Sequence, residues 1–219
     1  MTVDRATDRA TLSGYPVNLL VRGRRCVVVG AGRIAARKIE ALLSAGATVH
    51  VVAPEVGDEV RAWQEAGRLT LDERAFAPSD LEGAWLATAA TDNPAVNRAV
   101  YEVGEHRRVF VNSADDPTNC SFTLMSVVRR GDLVVTVGTA GRSPALAAWL
   151  RRRFDAELGP EYEVLLDVLA SARDALRAGG RSSEDADWNQ ALDSGMLDLV
   201  RGGRIDEAEE LLRSCLSSS

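Results

Sequence analysis

Cys26-Val27-Val28-Val29-Gly30-Ala31-Gly32-Arg33-Ile34-Ala35 is the stretch that decides how this chain folds. Four apolar residues run without alternation into a glycine, as in a strand covered on both faces. Ile34, Lys38, Ala41, Leu42 and Ala45 then recur at three- and four-residue spacing up to Gly46, a helix with a glycine stop. The joint has the form Gly-x-Gly-x-x-Ala. The first glycine admits a tight turn, and the second removes a side chain where a pyrophosphate meets the backbone. The alanine lets the helix close on the strand. Unpaired N–H groups at the helix start favour a phosphate.

The pattern continues outward. Strands are expected at 48–53, 69–74, 85–90 and 109–112. Helices are expected at 56–66, stopped by Gly67, and from Asp92-Asn93-Pro94 to about 105. Strand and helix alternating at this short spacing predict a parallel sheet with helices on both faces. Residues 24 to about 113 therefore read as a Rossmann-type domain that binds a nicotinamide dinucleotide at Gly30-Ala31-Gly32. Glu55 stands 20 residues after Ala35, just past the second strand. An acid there takes the ribose hydroxyls and disfavours a 2′-phosphate, which points to NAD rather than NADP. Pro54 occupies the place where that acid more usually stands.

Beyond Asn112 the rhythm breaks. Residues 113–121 are polar and turn-rich. Apolar runs at 122–128 and 133–137, joined by Arg129-Arg130-Gly131-Asp132, predict an antiparallel hairpin. Ser143-Pro144 opens a helix to about 158. Further helices are expected at 160–178, about 184–201 and 206–216, punctuated by Gly179-Gly180 and Gly202-Gly203. Residues 1–13 are polar, mixed in charge and read as a disordered leader.

Composition excludes several classes. A net charge of −6 argues against wholesale nucleic-acid or membrane-surface binding. The chain has neither an apolar run long enough to span a bilayer nor a secretory signal, so a cytoplasmic protein is expected. Cys26, Cys120 and Cys215 are far apart and form no Cys-x-x-Cys, against a disulfide framework or zinc knuckle. Cys26 reads as a small buried hydrophobe. With His50 and His106 the only histidines, no His-rich metal site is expected, and His50 reads as a satisfied strand histidine. Lys38 is the only lysine, and Tyr15, Tyr101 and Tyr162 have no lysine four residues on, which removes a Tyr-x-x-x-Lys hydride-transfer site. A Schiff base would have to use Lys38.

Two further segments could carry chemistry. Asn112-Ser113-Ala114-Asp115-Asp116-Pro117 follows the fifth strand, where ligands of open parallel sheets sit. An aspartate there can act as a base or orient a substrate N–H; the same residues also suit a plain turn. Gly138-Thr139-Ala140-Gly141-Arg142-Ser143-Pro144 is a second glycine-bearing loop before a capped helix. It suits either a bound carboxylate or phosphate, or a tight turn with its cap. Arg142 and Arg151-Arg152-Arg153 add positive charge, the triplet equally suiting a solvated helix face.

Taken in order, a set of motifs resembles one family. They are Tyr15-Pro16-Val17-Asn18-Leu19, Val27-Val28-Val29-Gly30-Ala31-Gly32, Ala36-Arg37-Lys38, Val51-Val52-Ala53-Pro54-Glu55, Ala89-Ala90-Thr91-Asp92-Asn93, Val96-Asn97, Asn112-Ser113-Ala114-Asp115 and Gly141-Arg142-Ser143-Pro144. Over residues 15–155 the chain resembles the precorrin-2 dehydrogenase/sirohydrochlorin ferrochelatase family of siroheme biosynthesis. The resemblance implies oxidation of precorrin-2 by NAD+ and, in many members, insertion of Fe2+ into the product. It implies an α/β fold: a Rossmann-type parallel sheet domain (1–113), a small dimerisation segment (114–150) and an α-helical C-terminal domain (151–219), assembled as a homodimer. It makes Asp115 the catalytic residue and assigns Gly30, Gly32, Arg33, Ile34, Pro54, Glu55, Thr91 and Asp92 to the cofactor. Asn112, Thr139, Arg142 and Ser143 are expected toward the tetrapyrrole, with no resident metal site.

Two other classes compete. A non-catalytic NAD-sensing regulatory module would share the glycine turn and Glu55, but would want a DNA-binding or membrane partner. The acidic turn with Asp206, Glu207, Glu209 and Glu210 opposes DNA. An ordinary small-alcohol dehydrogenase lacks its Tyr-x-x-x-Lys pair.

Overall fold

In the computed structural model, residues 14–114, 116–182 and 187–217 are described. Residues 1–13, expected as a leader, Asp115, residues 183–186 and residues 218–219 lie outside them. The contacts divide the chain into two compact units, one up to Leu124 and one from Met125.

The first unit holds five strands in the order β3-β2-β1-β4-β5, all parallel. They are β1 (Arg25–Val29), β2 (Thr48–Val52), β3 (Thr70–Asp72), β4 (Leu86–Ala89) and β5 (Phe110–Ser113). Helices α1 (Arg33–Ser44), α2 (Asp58–Glu65) and α3 (Pro94–Arg107) form the crossovers. The chain runs from β1 outward to β3, then returns to build β4 and β5 on the other side. This reversal leaves a crevice between the carboxyl ends of β1 and β4.

The strands are apolar on both faces because both faces are covered. Cys26 and Val28 join Val49, Val51, Ala35, Ala36, Ile39 and Val60 in one buried layer. Val27 and Val29 point the other way, into a layer with Ala87, Ala89, Val100, Val111 and Leu81. Each fully buried Val, Leu or Ile contributes roughly 1.5–3 kcal/mol. Cys26 is fully buried, as a small hydrophobe, and burial pushes its thiol up to about 11. His50 shares a 2.8 Å hydrogen bond with Thr70 Oγ1 and lies 3.7 Å from Asp72, so it is the satisfied strand histidine expected.

The second unit opens with a hairpin, β6 (Ser126–Arg130) and β7 (Leu133–Val137). The first strand begins at Ser126, four residues later than the apolar run 122–128 predicts. Ser121 and Phe122 remain with the first unit: the Ser121 N–H donates to the Val111 carbonyl, and Phe122 packs on the sheet's core. Arg129 and Arg130 are strand residues, because Arg130 pairs with Leu133 across a two-residue turn. Arg130 also donates to Asp155 at 3.0 Å, which anchors a charge that the sequence alone suggested was link.

Helix α4 (Pro144–Glu157) packs on both hairpin strands. Then come α5 (Glu161–Ala178), α6 (Trp188–Ala191), α7 (Leu197–Arg201) and α8 (Ile205–Ser217), which share a core of Leu165, Val168, Met196, Val200 and Leu212. The single helix expected at about 184–201 is broken at Leu192–Met196, where Ser194 leaves helical geometry and Gly195 has φ 89°. The residue that breaks it is a glycine, which takes a positive φ without a β-carbon penalty. Among the described residues, no helix is long and apolar enough to cross a membrane.

Candidate functional site

The site begins at Gly30, whose N–H donates to Val52 and whose φ is +109°. A β-carbon here would overlap the Ala90 carbonyl oxygen. Only glycine therefore lets β1 turn this close to the end of β4. Gly32 differs: its φ is −81° and open space surrounds the place of a β-carbon. Gly32 caps α1 with no side-chain hydrogen bond. The N–H groups of Arg33 and Ile34 belong to the first helical turn and have no intrahelical carbonyl to meet. An uncapped helix start opening on empty space is what a pyrophosphate requires, so these residues fit a dinucleotide.

The remaining residues assigned to a cofactor come to the same edge. Pro54 and Glu55 are exposed just past β2. Thr91 and exposed Asp92 follow β4. The Thr91 loop is held from below by Asn97, which is buried in α3. Asn97 Oδ1 accepts from Thr91 Oγ1 at 2.8 Å and from the Thr91 N–H, while its amide donates to the Thr91 carbonyl at 3.0 Å. Asn93 caps α3 by accepting from the Ala95 N–H. Sequence reasoning saw Asn97 only as part of a resembling motif; its hold on Thr91 depends on a fold back of six residues.

At the end of β5, Asn112 and Ser113 are buried. The Asn112 amide donates to the Phe122 carbonyl at 3.1 Å and to Cys120 Sγ. Asn112 therefore ties down the loop that follows. Cys120 Sγ also accepts from the Ser113 N–H at 3.2 Å, and burial pushes this thiol up from its ordinary value. The hydroxyl of Ser113 is buried with no hydrogen-bond partner among the described residues.

Asp115 lies outside the described residues; its neighbour Ala114 donates its N–H to Ala89. Asp116 is occupied. Its carboxylate accepts from Thr118 Oγ1 at 2.6 Å, from the Thr118 N–H and from Asn119, which holds it below the usual carboxylate range. Of the aspartate pair, Asp116 thus serves the turn. Thr139, Arg142 and Ser143 belong to the second unit and share one loop. The Ser143 N–H donates to Thr139 Oγ1, Ser143 accepts from the Leu146 N–H to cap α4, and Arg142 is exposed. Among the described residues, no group of three His, Cys, Asp or Glu side chains is arranged to hold a metal.

The sequence did not single out Asp58 and Glu59. A cavity of about 200 Å³ beside the phosphate turn is lined by Ala31, Gly32, Arg33 and Ala36 on one side and Gly57, Asp58, Glu59 and Val60 on the other. Glu55 is not among its lining residues. The signal was Gly57, which ends the loop after β2 and starts α2 at Asp58 rather than at residue 56.

A sheet in the order 3-2-1-4-5 with a glycine turn at its switch point defines a nucleotide-binding unit of the Rossmann type. The family model described as "Putative NAD(P)-binding" matches residues 17–126, and the chain belongs to that family. Siroheme synthase of Nitrosococcus oceani is 34% identical over 203 residues, covering 92% of this chain and 43% of that protein. Siroheme synthase of Photorhabdus laumondii is 33% identical over 206 residues, covering 93% of this chain and 44% of its own. The chain thus spans less than half the length of these curated relatives. Among solved structures, SirC, a precorrin-2 dehydrogenase, is similar with a TM-score of 0.73 and 25% identity, covering 92% of this chain and 98% of SirC. The family resemblance and the α/β fold expected from the motifs are both borne out by these relatives.

Proposed function

We propose that this chain oxidises precorrin-2 to sirohydrochlorin with NAD+ as the acceptor. The observation that carries the reading is the Gly30-Ala31-Gly32 turn at the β1/β4 switch point, in a chain whose fold matches SirC over nearly all of that protein's length. The curated relatives named siroheme synthase support the same substrate class.

Gly32 and the N–H groups of Arg33 and Ile34 would hold the pyrophosphate. Pro54 and Glu55 would meet the ribose next to β2, and Thr91 and Asp92 the cofactor next to β4. When bound, the nicotinamide ring supplies the hydride acceptor. The oxidation removes one hydride and one proton from the tetrapyrrole. Asp115, two residues past β5, is the proposed base for that proton. Thr139, Arg142 and Ser143 are proposed to face the substrate, with Arg142 suited to its carboxylates, whereas Asn112, expected there too, is buried and committed to Phe122 and Cys120. Insertion of Fe2+ into sirohydrochlorin is the second activity in this reading, with Fe2+ as a substrate and Asp115 receiving the displaced N–H protons. The site of action is taken to be the cytoplasm.

A homodimer is part of the proposal. Two strands alone make a marginal sheet with unpaired edges. Val127 and Val134 are exposed on the hairpin, and Leu146 and Trp149 on α4. Val127 and Val134 share the hairpin face opposite buried Val128 and Val137, and a second copy covering that face would bury them.

The test is anaerobic incubation of the chain with precorrin-2, with and without NAD+, then with Fe2+ added. NAD+-dependent formation of sirohydrochlorin is expected. NADH binding without turnover would favour a sensing module instead.

A further inference from the structure

We infer that Asp58 and Glu59, at the start of α2, set the cofactor preference by excluding a 2′-phosphate from the cavity beside the glycine turn. The inference rests on the proposed dinucleotide site and adds to it the residues that choose between NAD and NADP.

The two loops that form the cavity are fastened together. The Gly57 N–H donates to the Ala31 carbonyl at 3.1 Å, and a β-carbon on Gly57 would stand 3.0 Å from that oxygen. This contact brings the first turn of α2 against the first turn of α1. Gly32 and Arg33, which would meet the pyrophosphate, therefore share a wall with Asp58 and Glu59. The adenosine ribose attaches directly to that pyrophosphate, and its 2′ oxygen, six bonds from the phosphorus, is within reach of this cavity.

The charges there are unequal. Two acidic residues, Asp58 and Glu59, line the cavity against one basic residue, Arg33. Two cations of the following elements, Arg61 and Arg74, are already engaged. Arg61 donates to both oxygens of Glu73 at 3.0 Å. Arg74 donates to Asp80 at 2.7 and 2.9 Å and to Asp72 at 2.6 Å. A 2′-phosphate dianion entering there would meet two acidic residues, with Arg33 the one cation among the lining residues. A ribose hydroxyl would instead donate to a carboxylate. Glu55 contributes one more acid upstream but does not line the cavity.

Acids at a helix start also complement the helix dipole. That role affects the melting of α2 but not a choice between two cofactors, so the preference ratio separates the two. The experiment titrates the full chain with NADH and with NADPH, following the fluorescence of the bound nicotinamide. Wild type is expected to bind NADH at least about tenfold tighter, the scale set by one or two unit charges at contact distance in water. Asp58→Asn/Glu59→Gln is expected to bring the two affinities within about threefold, by tightening NADPH. Glu55→Gln is expected to move the ratio by less than that. Equal affinities in wild type, an unchanged ratio in the double variant, or loss of the whole preference in Glu55→Gln would each overturn the inference. If wild type binds neither nucleotide, the dinucleotide reading itself fails, a result distinct from NADH binding with an unmoved ratio.

Discussion

Gly30 lies against the carbonyl of Ala90. With φ at +109°, a β-carbon would overlap the Ala90 oxygen and stand 2.8 Å from its carbonyl carbon. The two glycines of the turn should therefore fail differently. Gly30→Ala forces both a positive φ and a backbone clash and should cost at least about 2–4 kcal/mol, read as a drop in the urea midpoint. Gly32→Ala meets open space and a negative φ, so its stability should stay within about 0.5 kcal/mol of wild type. Its methyl group would nevertheless occupy the phosphate approach, and NADH affinity should fall at least tenfold. Equal NADH affinity in wild type and Gly32→Ala would remove the phosphate from this turn.

Asp80 gives a pH signature. Its side chain is buried, it accepts from Arg74 at 2.7 Å and from the Ala77 N–H at 2.8 Å, and Arg74 holds its carboxyl below the usual range. A group whose pKa is lowered by folding contributes its stability above the unfolded value, near 3.9, and loses it as pH falls through the lower folded value. The stability gap between wild type and Asp80→Asn should thus be flat from pH 7 to about 5 and close below about 4. A gap that widens with acid would contradict the ion pair.

The exposed apolar residues of the hairpin and of α4 test the assembly. Val134→Glu with Trp149→Glu places charge on residues that are exposed in the single chain. Sedimentation should show dimer for wild type and monomer for the double variant, with each folded by circular dichroism. A wild-type monomer at micromolar concentration would remove the dimer from the account.

Most of the sheet was legible because its strands are apolar on both faces and end in turn residues. Cys26–Val29 and Val49–Val52 leave no solvent face to interpret. The hairpin was shifted because Arg129 and Arg130 read as link; only the register of Arg130 against Leu133 shows that they pair. The helix around Leu192–Met196 read as continuous because apolar spacing carries across Gly195, and one glycine in a helical pattern does not by itself declare a break. In the site, Gly30 was legible from its motif. Asp58 and Glu59 were not, because they read as ordinary acids in a helix's first turn, and their place on the cavity wall comes from the Gly57–Ala31 contact. Asp116 shows the opposite case: paired with Asp115 in sequence, it is committed to Thr118 and Asn119.

Asp115 carries the proposed chemistry. Asp115→Asn keeps the size and removes the base, so turnover of precorrin-2 should fall at least about a hundredfold while NADH affinity stays within a factor of two or three. Undiminished turnover would take Asp115 out of the mechanism.

The most direct measurement follows NADH and sirohydrochlorin absorbance together as the chain acts on precorrin-2 and NAD+ under anaerobic conditions. The account predicts that both appear with the same time course and in equal amounts, and that both form at least about tenfold more slowly with Gly32→Ala at the same low NAD+ concentration. Precorrin-2 left unchanged by wild-type chain that binds NADH would contradict it.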